Sequence, residues 1–137
     1  MIVDIAKLNM RKEYSGRLQF DYEAPENLIE IPFVQFEGAV HVDALYELYE
    51  DDALEIRGTL SYKIKGQCSR CLNPAEKTVE GEIDALFEKR TDAEDYSYSG
   101  TKVDLKPAID DAIMASLPFL LTCGEGCEGL SYSDETV

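Results

Sequence analysis

The chain has 137 residues and carries 28 acidic against 13 basic side chains, which gives a formal net charge of −15 at pH 7. This length suits one domain, and 45% hydrophobic residues are enough to form a core without disulfide bonds. The longest uncharged apolar run, residues 112–121, is about half of the roughly 20 residues that a membrane span needs. Composition therefore excludes a transmembrane helix, and the charge weighs against wrapping nucleic acid over the whole surface.

The N-terminal residues predict two short strands, over residues 2–8 and 18–22, that could complete a sheet. The start of the chain lacks the basic and apolar regions of a secretory signal. We therefore expect the protein in the reducing cytoplasm, where cysteines indicate metal or redox chemistry before structural disulfides.

Alternating apolar and polar residues predict three long strands, over residues 34–48, 54–65 and 78–88. Short connections between consecutive strands favour an antiparallel meander. Glycines at positions 38, 58, 66 and 81 lie within or at the ends of these strands, which favours a strongly twisted or barrel-like sheet. We expect a mostly β member of the α+β class.

Residues 90–101 are polar and predict a mobile loop. Beyond them, apolar residues recur at helical spacing, with Asp104 as a predicted N-cap and Pro118 after the last turn. One amphipathic helix is therefore expected to cover the sheet. The domain prediction is a single unit over residues 1–137, with residues 131–137 as a frayed tail.

The charge is unevenly distributed along the chain. Residues 57–77 carry a local charge of +4, whereas the other 116 residues sum to −19. The bases of this basic island are Arg57, Lys63, Lys65, Arg70 and Lys77. The acidic flanks are either solvent-facing strand surfaces or an anionic surface for a basic partner, and the island is a positive spot that could contact phosphate.

Four cysteines form two pairs, Cys68 with Cys71 and Cys123 with Cys127. The first pair is a C-x-x-C between two predicted strands, the arrangement of a zinc knuckle, and the second follows the predicted helix. A structural zinc site that uses all four thiols is the preferred interpretation, and it requires the fold to bring both pairs together. Thiols without metal, a redox pair and a stable disulfide remain alternatives.

Signals for an enzyme are sparse, and we predict no catalytic residue and no small-molecule substrate. The only histidine, His41, falls on the polar side of a strand with no nucleophile identifiable by spacing. Asp110 and Asp111 are adjacent on the predicted helix, and adjacent helical side chains point about 100° apart, so they rarely share one cation.

The order and spacing of these motifs resemble the YceD family of bacterial and plastid proteins over nearly the whole chain. The residues that carry the likeness are Cys68, Cys71 and Leu72, residues 103–105, Asp110, Asp111 and Ile113, residues 115–118, and Cys123, Cys127 and Leu130. The resemblance implies a role in the accumulation of large-subunit ribosomal RNA, hence in ribosome biogenesis, with no established enzymatic activity.

Three functional hypotheses follow. The first is a non-catalytic ribosome-assembly factor whose acidic surface binds a basic ribosomal protein or an assembling particle. The second is direct RNA binding through the basic island, because a local patch acts within about one Debye length, roughly 8 Å. The third, with the least support, is a thiol redox protein.

Overall fold

A computed structural model describes residues 2–93, 95–118 and 120–121 of the chain. These residues contain seven strands and two helices. The strands are β1 (Ile2–Asp4), β2 (Ser15–Tyr22), β3 (Val34–Leu48), β4 (Leu54–Gln67), β5 (Pro74–Glu88), β6 (Tyr96–Ser97) and β7 (Lys102–Asp104). The helices are α1 (Ile5–Arg11) and α2 (Lys106–Ser116), and a single 3-10 turn, Glu26–Leu28, lies between β2 and β3. The prediction of a mostly β fold is confirmed.

The main sheet has five strands in the order β2-β3-β4-β5-β6. Its first four strands are antiparallel and follow chain order. The short strand β6 pairs in parallel with β5, so the sheet is mixed. Strands β2 and β6 lie at opposite edges, and within the described residues the sheet does not close into a barrel.

Side-chain alternation places the core on one face of this sheet. Even-numbered apolar residues of β3 and β4 and odd-numbered ones of β5 are buried, with the exception of Val34, which is half-buried at the start of β3. Gly58 has a steric role in this pairing, because a Cβ atom there would lie 2.3 Å from the carbonyl oxygen of Asp43. The β3 and β4 backbones can approach this closely only without a side chain at that position.

The predicted strand over residues 2–8 is wrong beyond its first three residues. Strand β1 ends at Asp4, whose side chain accepts a hydrogen bond from Lys7 N at 3.2 Å and so caps helix α1. Ile5 is the buried residue of α1. Strand β1 pairs with β7 in a separate two-stranded sheet, so it does not extend the main one.

Helix α2 packs against the buried face of the sheet through Ala108, Ile109 and Ile113. The helix begins at Lys106, and the side chain of Asp104 accepts a hydrogen bond from Lys106 N at 3.0 Å. Asp104 therefore satisfies a donor at the helix start, two residues before the first helical position. No helix among the described residues has the length and apolarity to span a membrane.

The segment over residues 90–101, predicted to be a mobile loop, contains strand β6. The ring of Tyr96 stacks on Phe87 with 5.0 Å between centroids, and the hydroxyl of Tyr98 donates to the carbonyl oxygen of Asp52. Two aromatic contacts therefore attach this segment to the sheet and to the β3–β4 turn. The predicted frayed tail, residues 131–137, lies outside the described residues.

Candidate interaction face and cysteine turn

The face of the main sheet opposite α2, here called the outer face, consists of the odd-numbered residues of β2, β3 and β4 and the even-numbered residues of β5. None of its side chains is buried. Its carboxylates are Asp21, Glu37, Asp43, Glu47, Glu55, Glu76, Glu80, Glu82, Asp84 and Glu88. Its cations are Arg17, Arg57, Lys63 and Lys65. Charge on the outer face is therefore strongly negative.

Three of the predicted contact residues, Arg57, Lys63 and Lys65, lie together on this face, and each is paired with a carboxylate. Arg57 lies 3.1 Å from Glu55 and 3.6 Å from Asp84. Glu37 reaches both lysines, at 4.0 Å from Lys63 and 3.5 Å from Lys65. Acids of β4 itself and of the two neighbouring strands thus pair with these three bases, although exposed pairs of this kind add little to stability.

Glu76 on β5 is a second acidic neighbour of Lys63, at 3.8 Å, on the side away from β3. The fourth cation, Arg17, makes two hydrogen bonds to Asp43, at 2.9 and 2.6 Å. These hydrogen bonds raise the pKa of Arg17 and lower the pKa of Asp43. Glu80 and Glu82 make no ion pair with any described residue, so their charge is available to a partner.

The other two members of the basic island lie elsewhere. Lys77 is opposite Ile64, which is buried, so Lys77 is on the helix-bearing face of the sheet and is exposed there. Arg70 is exposed in the turn between β4 and β5. The five bases that are close in sequence therefore do not form one continuous surface.

A row of polar residues crosses the outer face at His41. Asp21 and Ser61 are its direct cross-strand neighbours, and Glu80 lies opposite Ser61. His41 Nδ1 is 2.6 Å from Asp21 Oδ1, and both side chains are 66% exposed. No hydrogen bond joins Ser61 to His41 in the described structure. Sequence spacing missed this row, because only the strand register brings its members together.

Asp110 and Asp111 of α2 face opposite edges of the sheet. Asp110 accepts a hydrogen bond from Tyr22 of β2 at 2.6 Å, and Asp111 accepts one from Tyr96 of β6 at 2.5 Å. Lys106 also donates to Asp110, at 2.7 Å. The two carboxylates therefore hold the helix in place and do not converge on one point.

Cys68 and Cys71 lie in the turn that joins β4 to β5, where Cys68 is fully buried and Cys71 half-buried. The backbone N–H of Arg70 donates to Cys68 Sγ at 3.4 Å. The backbone N–H of Ser69 donates to the carbonyl oxygen of Leu121 at 2.7 Å. The chain segment after α2 thus returns to the cysteine turn, two residues before Cys123.

Cys123 and Cys127, the other predicted ligands, lie outside the described residues. Within the described part of the chain, no group of three or more cysteine, histidine or acidic residues is arranged to hold a metal ion. The structure therefore places two of the four predicted thiols, those of Cys68 and Cys71, in one turn.

Together, fold and surface define a class: a mostly β domain with one face covered by a helix and an open, acidic face on the other side. The sequence profile of a family described as "Large ribosomal RNA subunit accumulation protein YceD" matches residues 56–137. This match spans more than half of the chain, and the chain belongs to the YceD family.

Similar proteins occur in mycobacteria. An uncharacterised protein of Mycobacterium tuberculosis (strain H37Rv) is 28% identical over 139 residues, which cover 95% of this chain and 67% of the relative. An uncharacterised protein of Mycobacterium bovis gives the same figures. An uncharacterised protein of Mycobacterium leprae is 27% identical over 117 residues, covering 74% of this chain and 50% of the relative. No solved structure matches the chain.

Proposed function

We propose that this protein is a non-catalytic ribosome-biogenesis factor of the cytoplasm that supports the accumulation of large-subunit ribosomal RNA by binding a basic ribosomal protein or an assembling particle. The family description supports the process, since it names large ribosomal RNA subunit accumulation. The observation that carries the binding mode is the outer face, where every cation is already paired with a carboxylate of the same face.

The geometry favours a protein partner of opposite charge. An open sheet face with unpaired Glu80 and Glu82 attracts a lysine- and arginine-rich surface, because complementary potentials accelerate encounter and disfavour wrong partners. The same face repels a phosphate backbone. Phosphates would have to displace the carboxylates that hold Arg57, Lys63 and Lys65 before they could bind those side chains.

Direct RNA binding is the second candidate, and one observation favours it. Arg70 and Lys77 are exposed, and neither forms an ion pair with a described residue. Both lie at the cysteine-turn end of the sheet, where β4 and β5 are joined. An RNA contact there would be limited to a few phosphates at one end of the domain.

Affinity purification of the full chain from lysate tests the first proposal. Basic ribosomal proteins should copurify and remain bound after RNase treatment, and the double variant Glu80→Lys, Glu82→Lys should lose them. The control Glu30→Lys, Glu50→Lys makes the same change in net charge at exposed positions off the outer face. Loss of all partners after RNase treatment, together with loss on substitution of Arg70 and Lys77, would favour RNA binding instead.

A structural zinc ion bound by Cys68, Cys71, Cys123 and Cys127 is part of the proposal. Two observations at the turn of Cys68 and Cys71, the described half of the proposed site, support zinc binding. A backbone amide donates to Cys68 Sγ, which stabilises a thiolate, and the hydrogen bond between Ser69 and Leu121 returns the chain to this turn. Native mass spectrometry of freshly purified, reduced protein should show one added zinc ion, and metal-free protein would contradict this part.

A further inference from the structure

Strand β2 is an edge of the main sheet, with β3 on one side and no strand on the other among the described residues. Its side chains alternate regularly. Leu18, Phe20 and Tyr22 are half-buried on the inner side, and Arg17 and Asp21 are exposed on the outer face. Such an edge presents a row of unpaired backbone donors and acceptors to a further strand.

The direction of these backbone groups follows from the β2–β3 ladder. Leu48 N donates to the carbonyl oxygen of Tyr14 at 2.7 Å, so even-numbered residues here direct their polar groups toward β3. In an antiparallel ladder this direction alternates with each residue. The N–H and C=O groups of Arg17, Gln19 and Asp21 therefore point outward, away from the sheet.

The sequence of this edge is complementary to itself. When two β2 strands are placed antiparallel with Gln19 opposite its own copy, the sidedness of the side chains is kept. Arg17 then lies opposite Asp21 of the second strand, and Leu18 lies opposite Phe20, each pair occurring twice by symmetry. The outward backbone groups at odd positions also match, because these positions become the hydrogen-bonded pairs.

We propose that β2 is an interface for a second copy of this chain, which adds edge to edge in this register. A shift of two residues in one direction places Arg17 opposite Gln19, and in the other direction opposite Glu23, which lies beyond the end of β2, so only this register pairs Arg17 with Asp21 within both strands. Arg17 and Asp21 are at least 60% exposed, which leaves them accessible, and their present partners, Asp43 and His41, both lie on β3 and not at the open edge. The result is one continuous ten-stranded sheet.

The dimer would join two outer faces into one acidic surface, because edge-to-edge addition leaves the faces of both sheets uncovered. The proposal does not depend on the proposed function, since it follows from strand register and side-chain complementarity. It does predict that a basic partner meets two copies of Glu80 and Glu82 in each assembly.

Analytical ultracentrifugation of the full chain at about 0.15 M salt, from about 1 µM to about 1 mM, measures the association. We expect a monomer–dimer equilibrium that Gln19→Pro weakens at least about tenfold, since proline removes the outward N–H and leaves the β2–β3 ladder intact. Gln19→Ala is the matched control and should associate as the unsubstituted chain does. A monomer at every concentration would overturn the proposal, as would equal association of Gln19→Pro.

Disulfide trapping tests the register even if Gln19→Pro disturbs the fold. Directly opposed residues lie about 5.5 Å apart, a distance that a disulfide spans, so Gln19→Cys should form a covalent dimer on mild oxidation. Arg17→Cys should not, because its two copies would be separated by four residues along the strands, more than about 13 Å. The unsubstituted chain controls for the native cysteines. Equal trapping of the two variants, or none with Gln19→Cys, would overturn the register.

Discussion

The hydroxyl of Tyr22 donates a hydrogen bond of 2.6 Å to Asp110, and this contact joins one edge of the sheet to helix α2. The next residue of the helix, Asp111, accepts from Tyr96 at the opposite edge. Two adjacent acids thus connect the helix to β2 and to β6, the two outermost strands. Because neighbouring helical side chains point about 100° apart, the two carboxylates can reach opposite edges of the sheet.

Removal of either hydroxyl should destabilise the fold. We expect Tyr22→Phe and Tyr96→Phe each to lower the free energy of unfolding by about 1 kcal/mol, because each loses a hydrogen bond to a carboxylate. The double variant should lose about the sum, since the two contacts lie at opposite edges. Urea denaturation measures these changes. Tyr14→Phe is the control, because the Tyr14 hydroxyl makes no hydrogen bond to a described residue, and equal effects of all three would contradict the bridging role.

Stability should fall at high pH. Burial raises the pKa of Tyr96 to about 12, and the hydrogen bond to Asp111 contributes to this increase. A folded-state pKa above the unfolded value of 10.0 favours the neutral phenol in the native protein. Its contribution is therefore complete below about pH 10 and is lost as the pH rises toward 12. Urea denaturation between pH 8 and pH 12 should show this decline, with a smaller slope for Tyr96→Phe. A slope unchanged by that substitution would contradict the assignment.

Much of the sheet could be predicted from the sequence because alternation encodes which face of each strand is buried. The long strands β3, β4 and β5 follow from it directly. Other elements, among them helix α1 and strand β6, did not follow. Helix α1 replaces a predicted strand because the Asp4 side chain caps a turn, and β6 has only two residues, held by the stacking of Tyr96 on Phe87. Side-chain capping by Asp4 decided the first element, and ring stacking between Tyr96 and Phe87, nine residues apart, decided the second.

The pairing of charges on the surface could be predicted less well from the sequence. Arg57, Lys63 and Lys65 lie on one face of β4, and most of their acidic neighbours, Glu37, Glu76 and Asp84, come from the strands on either side. The irregularity between Glu37 and His41 adds two residues to β3, and it sets Glu37 beside Lys63. Register, which the sequence does not reveal at such a bulge, therefore determines whether Lys63 and Lys65 are paired with Glu37.

The close approach of β3 and β4 at Gly58 predicts a strong effect of a small substitution. Gly58→Ala introduces a Cβ that would lie 2.3 Å from Asp43 O and 2.4 Å from Ala44 Cα, both backbone atoms that move only with the strand. We expect a loss of about 2 to 4 kcal/mol in the free energy of unfolding, measured by urea denaturation. Thr59→Ala, at the next and exposed position, should change it by less than about 1 kcal/mol. A stable Gly58→Ala variant would show that the strands can separate locally at little cost.

The cysteine turn provides a test of metal dependence. If zinc is bound as proposed, chelation of the full-length protein should lower its thermal midpoint, because metal binding there is coupled to folding of the segment that returns to Ser69. Cys71→Ser should have a lower midpoint before chelation and should not respond further to the chelator. Ser69→Ala is the matched control in the same turn, since its backbone hydrogen bond to Leu121 does not require the side chain. Equal responses of Cys71→Ser and the unsubstituted chain would show that the chelator acts at another site, and no response in either would contradict a structural metal at this turn.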